Sequence, residues 1–320
     1  MKYGKINNID KPVSRIVLGT MIISTDNFER SVDILDAALR NGITTLDSAN
    51  VYYGGQSERA IGRWMEMRGN REEVVIATKG AIPNADRKRV TPFDITADIY
   101  DSLARLRTSY IDIYMLHRDD PDYPIGPIVE ILNEHKNAGR ICAFGGSNWT
   151  HQRLQEANDY AAANNLTPFT VSSPNFGLAE QVEDPWGPGC VTVSGPQNTE
   201  ARAWYKQHDM PIFAYSSLGR GFFSGRITRQ NFEEIKGTID GACRTAYCHE
   251  VNFKRLDRVE EMAKQKGMTV AEIATAYIFS QPLNVFALIG TENEAEMKSA
   301  IAASETTLTA DEMAWLNLEK

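Results

Sequence analysis

The sequence predicts an α/β fold, a closed (β/α)8 TIM barrel, on two observations. Eight short β-branched or apolar runs alternate with longer segments of helical period, and no glycine-rich phosphate loop follows the first run. The runs cover residues 16–19, 44–48, 74–79, 111–117, 141–147, 169–173, 211–216 and 286–290. The competing fold, an open doubly wound sheet, normally begins with such a loop, and Leu18-Gly19-Thr20-Met21 is not one. A length of 320 residues with 42% hydrophobic and 24% charged residues suits one barrel, which takes about 250 residues or more. No Ser- or Pro-rich linker and no repeat divides the chain, so residues 1–320 read as a single domain, with 1–12 as a lead-in or a hairpin over the barrel's bottom.

The intervening segments carry helical signals in order. Residues 28–41 place Val32, Leu35, Ala38 and Leu39 on one face, and Asn41-Gly42 ends them. Segments 57–67, 94–107, 127–138 and 150–164 follow the same pattern, with Ala138-Gly139-Arg140 closing the segment that begins at Pro127. Thr269 caps 270–280, with Glu272 at capping-box spacing. Two connections are long, 177–198 and 219–254. Both follow strands, so in a barrel they overhang the C-terminal face, where active sites sit.

Charge and cysteine content narrow the function. A net charge of -8 is a poor start for binding a polyanion, which argues against nucleic acid as a partner. Cysteines at 142, 190, 243 and 248 are too few and scattered for a disulfide framework and fit a reducing compartment. Cys243, Cys248 and His249 have no matching second ligand pair, so no metal site is expected. The polar start and the lack of an apolar run of about 18 residues point to a cytoplasmic protein with no membrane partner.

The informative polar residues fall at strand ends. Asp47, Lys79 and His117 terminate three consecutive runs, and neighbouring strands lie about 5 Å apart, so the three groups converge on one rim. Taken singly, each has a bland reading, as a turn cap, a solvated amine or a satisfied rim histidine.

The segment Gly42-Ile43-Thr44-Thr45-Leu46-Asp47-Ser48-Ala49-Asn50-Val51-Tyr52 resembles the motif of the aldo-keto reductases in which an aspartate precedes the catalytic tyrosine by five residues. Counting back from Ser57-Glu58 also lands on Tyr52, with Tyr53 its rival. Val75-Ile76-Ala77-Thr78-Lys79 and Asp112-Ile113-Tyr114-Met115-Leu116-His117-Arg118 are similar to the family's lysine and histidine segments. The resemblance implies a tetrad of Asp47, Tyr52, Lys79 and His117, acting with a nicotinamide to interconvert a carbonyl and an alcohol, the small-molecule partner. In that chemistry the tyrosine gives and takes the proton. Its ordinary pKa of about 10 is expected to be lowered by the Lys79 ammonium, while Asp47 orients the lysine and His117 fixes the carbonyl oxygen.

The resemblance also implies a cofactor site. Gly145-Gly146-Ser147-Asn148 is similar to the family's carboxamide-binding Gly-x-Ser-Asn, and Ser173 stands where the family has Gln. Ala214-Tyr215-Ser216-Ser217-Leu218-Gly219-Arg220-Gly221 resembles the segment whose Tyr stacks on the nicotinamide and whose backbone follows the pyrophosphate. Gly19, Thr20, Met21 and Asp47 complete the near side. In Gly290-Thr291-Glu292 and Glu296 the basic clamp of NADPH-using relatives is missing, and carboxylates near a ribose favour a free 2'-hydroxyl. NAD(H) is therefore expected, with NADP(H) open through Lys298 or Arg220. Tyr53, Arg118, Trp149 and Trp186 are the candidate substrate wall, an aromatic and polar mixture that suits a sugar-like compound. A non-catalytic nucleotide-binding regulatory subunit, or a barrel lyase or isomerase forming a Schiff base on Lys79, are the alternative functions.

Overall fold

The computed structural model describes residues 1–320. An antiparallel pair, β1 (Tyr3–Gly4) and β2 (Val13–Ser14), precedes the barrel strands β3 (Ile16–Gly19), β4 (Thr45–Asp47), β5 (Val75–Gly80), β6 (Ile111–Leu116), β7 (Ile141–Ser147), β8 (Val171–Ser173), β9 (Ile212–Ala214) and β10 (Val285–Ile289). The eight pair in parallel and close as β10-β3-β4-β5-β6-β7-β8-β9. The helices are α1 (Phe28–Arg40), α2 (Gln56–Arg68), α3 (Pro92–Leu106), α4 (Ile125–Asn137), α5 (His151–Ala163), α6 (Thr199–Gln207), α7 (Phe232–Ile235), α8 (Gly241–Tyr247), α9 (Glu250–Lys266), α10 (Val270–Phe279), α11 (Glu294–Ala303) and α12 (Ala310–Leu316). No helix is long and apolar enough to cross a membrane.

Strand parity sorts the core. Val17, Val75, Ala77, Ile113, Met115, Ala143, Val171, Phe213, Phe286 and Leu288 fill the barrel interior, closed at one end by Ile6 and Val13 of the β1–β2 arm. The alternate residues, such as Leu18, Leu46, Ile76, Tyr114, Phe144, Ile212 and Ile289, face the helices and join the larger outer core. This is the period of two expected of a strand, applied around a cylinder. The interior is thus packed with side chains, and the next inward positions along the strands lie at its open end.

The predicted runs lie where the strands form, with ends shifted by one or two residues. The sixth, seventh and eighth strands are 171–173, 212–214 and 285–289. The expected capping box at Thr269 and Glu272 is present. The connection predicted as a loop over 219–254 instead contains α7, α8 and the start of α9, the second of these capped by Asp240, whose side chain accepts from Cys243 N. Short helices of four and seven residues offer too little periodicity to stand out in sequence.

Candidate active site

Extending the inward parity by one step places Gly19, Asp47, Lys79, His117, Ser147, Ser173, Tyr215 and Gly290 in one ring at the barrel's C-terminal end. Asp47 lies opposite Gly19 and Ala77, and Lys79 opposite Met115. The Lys79 ammonium is buried. It donates to Asp47 Oδ1 at 2.8 Å, to Asp47 Oδ2 at 2.7 Å and to the Ser48 carbonyl at 2.9 Å. Burial pulls the Lys79 pKa down, but Asp47 and Tyr52 outweigh it and hold the amine above its ordinary value.

Tyr52 opens a 3-10 turn, Tyr52–Gly55, between β4 and α2. Its ring centroid is 5.3 Å from Lys79 Nζ and 6.1 Å from the His117 ring, the two rings meeting edge to face. The backbone pays for this placement: Tyr53, immediately after, adopts a left-handed φ of 49°. Beneath the turn, Arg105 of α3 donates to the Asn50 carbonyl at 3.1 Å and to Glu58 Oε2 at 3.4 Å. Glu58 is fully buried and accepts from Thr78 Oγ1 at 2.7 Å, one residue before Lys79. A chain of polar contacts therefore joins the strand bearing Lys79 to the turn bearing Tyr52. The expected lowering of the Tyr52 pKa is corrected here: Lys79 does pull it down, but burial is the larger effect and the phenol lies above its ordinary value. Tyr52 is consequently a protonated acid at neutral pH.

His117 follows β6, its amide donating to the Gly80 carbonyl at 2.7 Å. Burial, and then the charges of Lys79 and Arg118, push its pKa well below the ordinary imidazole value. A neutral ring keeps one N–H to donate.

The expected cofactor residues gather at the far side of the ring. Asn148, at φ 58°, accepts from Tyr215 Oη at 2.8 Å and Val191 N at 3.0 Å, and its amide donates to Ser147 Oγ at 3.2 Å. Ser147 Oγ donates to the Ser173 carbonyl at 3.1 Å. The Ser173 hydroxyl already donates to the Phe213 carbonyl at 2.8 Å, so it can only accept from a carboxamide. Gly145 allows this crowding, since a Cβ there would come within 1.8 Å of the Val171 carbonyl oxygen. Beyond Tyr215 the chain turns through Ser216, Leu218, Gly219, Arg220 and Gly221, with left-handed φ at Ser216, Gly219, Arg220 and Gly221. Ser217 Oγ donates to the Leu288 carbonyl at 2.5 Å and ties this turn to β10. Thr20 is buried, donating to the Asp47 carbonyl at 3.0 Å, whereas Met21 is exposed at the mouth. Gly290 leaves open space where its side chain would be. Glu292 pairs with Arg30 of α1, and Glu296 accepts from Thr291 Oγ1 at 2.5 Å.

Of the expected substrate wall, Tyr53 is exposed, Arg118 is half-buried and Trp186 lies over the ring of Tyr215 at 5.9 Å between centroids. Trp149 is corrected: it has no exposed surface and packs on Phe169 beneath Gly146, so it belongs to the core. Cys243 is buried with its thiol toward the Gly219 carbonyl, and no three metal-binding side chains cluster anywhere. Sequence reading missed Arg105 and Arg30 and used Glu58 only as a spacing marker for Tyr52. Arg105 is visible only as a charged residue on an otherwise packed helix face, and Arg30 gives no signal until α1 and the segment after β10 are placed side by side.

The profile of the aldo/keto reductase family matches residues 15–317. The chain belongs to this family. As an aldo/keto reductase it is an oxidoreductase. It is 28% identical to aldo-keto reductase YhdN of Bacillus subtilis, with 99% of this chain and 93% of that relative aligned. It is likewise 28% identical to the aryl-alcohol dehydrogenase [NADP(+)] of Phanerodontia chrysosporium, over 95% and 82% of the two chains. Its fold superposes on that of the glycerol dehydrogenase AKR11B4 from Gluconobacter oxydans with a TM-score of 0.76 at 23% identity, covering 98% of this chain and 93% of the other.

Proposed function

We propose that this aldo/keto reductase interconverts a carbonyl compound and its alcohol with Tyr52 as general acid and base. The observation that carries the reading is the position of Lys79, held by Asp47 on one side and facing the Tyr52 ring on the other, with His117 edge-on to that ring. A bound reduced nicotinamide supplies the hydride, which no side chain can. The residues fit such a group: Ser147, Asn148 and Ser173 offer amide and hydroxyl partners beside an aromatic face, Tyr215, and the turn through Gly221 leads outward from it. Lys79 keeps its charge because Asp47 shares it, and that charge stabilises the phenolate that Tyr52 becomes after giving its proton to the substrate oxygen. Neutral His117 orients the same oxygen through its N–H.

A Schiff base on Lys79 is disfavoured. An amine bound to a carboxylate and a carbonyl and whose pKa is held up stays protonated and is a weak nucleophile.

Our reading for the cofactor is NAD(H), from the carboxylates of Glu292 and Glu296 where NADPH-using relatives carry a cation or amide. NADP(H) is the second reading, favoured by the Arg30 guanidinium on Glu292 and by the aryl-alcohol dehydrogenase relative, named for NADP+. The Arg30–Glu292 pair is exposed and therefore worth only about 0–1 kcal/mol, so Arg30 can be recruited by a phosphate. Fluorescence titration with NADH and NADPH, followed by a panel of aldehydes and ketones, tests the function. Nucleotide uptake with reduction of at least one carbonyl is expected; no uptake of either at millimolar concentration would overturn it.

A further inference from the structure

The cation next to the catalytic histidine has no counter-ion. Arg118 is half-buried at the mouth of the barrel, and its guanidinium donates only to its neighbour's carbonyl, His117 O, at 3.3 Å and to the Cys190 sulfur at 3.5 Å. The first contact is long and the second is to a weak acceptor, so most of its five N–H donors are left without a protein partner. Asp119 pairs with Arg153 at 3.2 Å and Asp120 with Lys88 at 2.6 Å; Asp184 accepts from the neutral donors Cys190 N at 3.4 Å and Gln181 Nε2 at 3.3 Å and forms no ion pair with Arg118. The other cations of the site are paired, Lys79 with Asp47 and Arg220 with Asp240.

The placement is specific. Arg118 reaches from the end of β6 to Cys190 on the long connection after β8, and that connection is held to the site by Val191 N on Asn148 Oδ1. Asn148 in turn donates to the His117 carbonyl at 3.4 Å. The guanidinium thus belongs to the same ring of contacts as the residue that orients the reacting oxygen. Its charge is felt by His117 and by Tyr215 across the pocket. A half-buried guanidinium with unused donors at the mouth of the pocket is placed to complete its hydrogen bonds on an anionic ligand.

We propose that Arg118 binds an anionic group on the substrate, a carboxylate or a phosphate monoester, so that the substrates of this enzyme are oxo acids or phosphorylated carbonyl compounds. The planar fork of arginine matches either group in a bidentate contact. The inference rests on the carbonyl-reducing function proposed above and adds the substrate class. It also replaces the sugar-like expectation with a charged one, because the recognition element with unused donors is a cation and not an amide or hydroxyl.

The test compares matched pairs under steady-state conditions with NADH or NADPH: 4-carboxybenzaldehyde against its methyl ester, and glyceraldehyde 3-phosphate against glyceraldehyde. In the unmodified enzyme, kcat/KM for the charged member of at least one pair is expected to exceed that of its neutral partner by about tenfold or more, through a lower KM, and the advantage should shrink as salt is raised. The carboxylate pair and the phosphate pair identify which anion is preferred. In Arg118→Gln the ratio should collapse toward one, and Arg118→Lys should keep part of it. Equal or greater activity on the neutral members of both pairs, or a ratio unchanged in Arg118→Gln, would overturn the proposal even if carbonyl reduction is observed. No turnover of any of the four would overturn this inference, while nucleotide uptake with reduction of another carbonyl would leave the proposed function standing.

Discussion

Arg105 Nη1 lies 3.4 Å from Glu58 Oε2, and this pair supports the turn that carries Tyr52 from below. The same guanidinium holds the Asn50 carbonyl and packs against Gly55, where a Cβ would meet Arg105 Nε at 2.9 Å. Glu58 is buried, and burial raises its pKa against the pull of Thr78 and Arg105, so loss of Arg105 strands a carboxylate.

Arg105 is therefore a positioning residue. Arg105→Met is expected to lower kcat about tenfold by letting the Tyr52 turn drift, and to destabilise the fold by about 3 kcal/mol as Glu58 loses its partner. Nucleotide Kd should stay nearly constant, because Tyr215 and Asn148 lie across the barrel. Arg105→Lys should restore stability more than kcat. Equal losses in kcat and nucleotide affinity would indicate a general structural role instead.

The pH profile follows from the directions at the site. His117 is neutral well below its ordinary value and Tyr52 stays protonated above about 10, so reductive kcat should be level from about pH 6 to 9 and fall only in more alkaline solution. In Asp47→Asn the Lys79 amine loses the charge that offsets its burial, its pKa drops, and the alkaline limb should move toward neutrality. A limb near pH 6.5 in the unmodified enzyme would mean that His117 titrates during turnover.

A second histidine governs acid stability. His135 on α4 accepts from Arg140 Nε at 2.7 Å through Nδ1 and meets Thr96 Oγ1 at 3.0 Å through Nε2. Burial, then Arg140, lowers its pKa from 6.5 to about 4. A folded-state value below the unfolded one means that the unfolded chain binds the proton first, so the contribution is complete above about pH 6.5 and is lost as pH falls toward 4. The unfolding free energy from urea titrations should decline across that window by an amount on the order of 1–2 kcal/mol, discounted for solvent screening of the half-buried ring, and His135→Gln should flatten the decline.

Cofactor preference offers opposed substitutions. Glu292→Arg with Glu296→Gln should shift the kcat/KM ratio toward NADPH by about tenfold or more, since each supplies a partner for a 2'-phosphate or removes a repulsion. Arg30→Glu should shift it toward NADH. Ratios unchanged in both variants would show that neither end of the Arg30–Glu292 pair approaches the ribose.

Most of this site was legible because strand parity is encoded residue by residue. Asp47, Lys79 and His117 each end an apolar run, and the polar intrusion at a fixed step marks them before any fold is known. Ser147 and Tyr215 obey the same step but are polar or amphipathic residues common at strand ends, so the family resemblance was needed to single them out. What sequence could not show depends on distances between elements far apart in the chain. Trp149 looks like a wall residue from its position after Asn148, yet the side-chain-free Gly146 lets its ring pack inward. The sign of the Tyr52 shift is hidden in the sequence for a related reason: a neighbouring ammonium can be read there, but the degree of burial that opposes it cannot.

The most direct test of the account is Tyr52→Phe, measured as single-turnover reduction of a carbonyl compound alongside nucleotide affinity by fluorescence. Removing the one hydroxyl while keeping the ring beside Lys79 is expected to slow the chemical step by about two orders of magnitude or more and leave nucleotide Kd within about twofold. A Phe variant that reduces the same compound at close to the unmodified rate would contradict the assignment of Tyr52 as the proton donor.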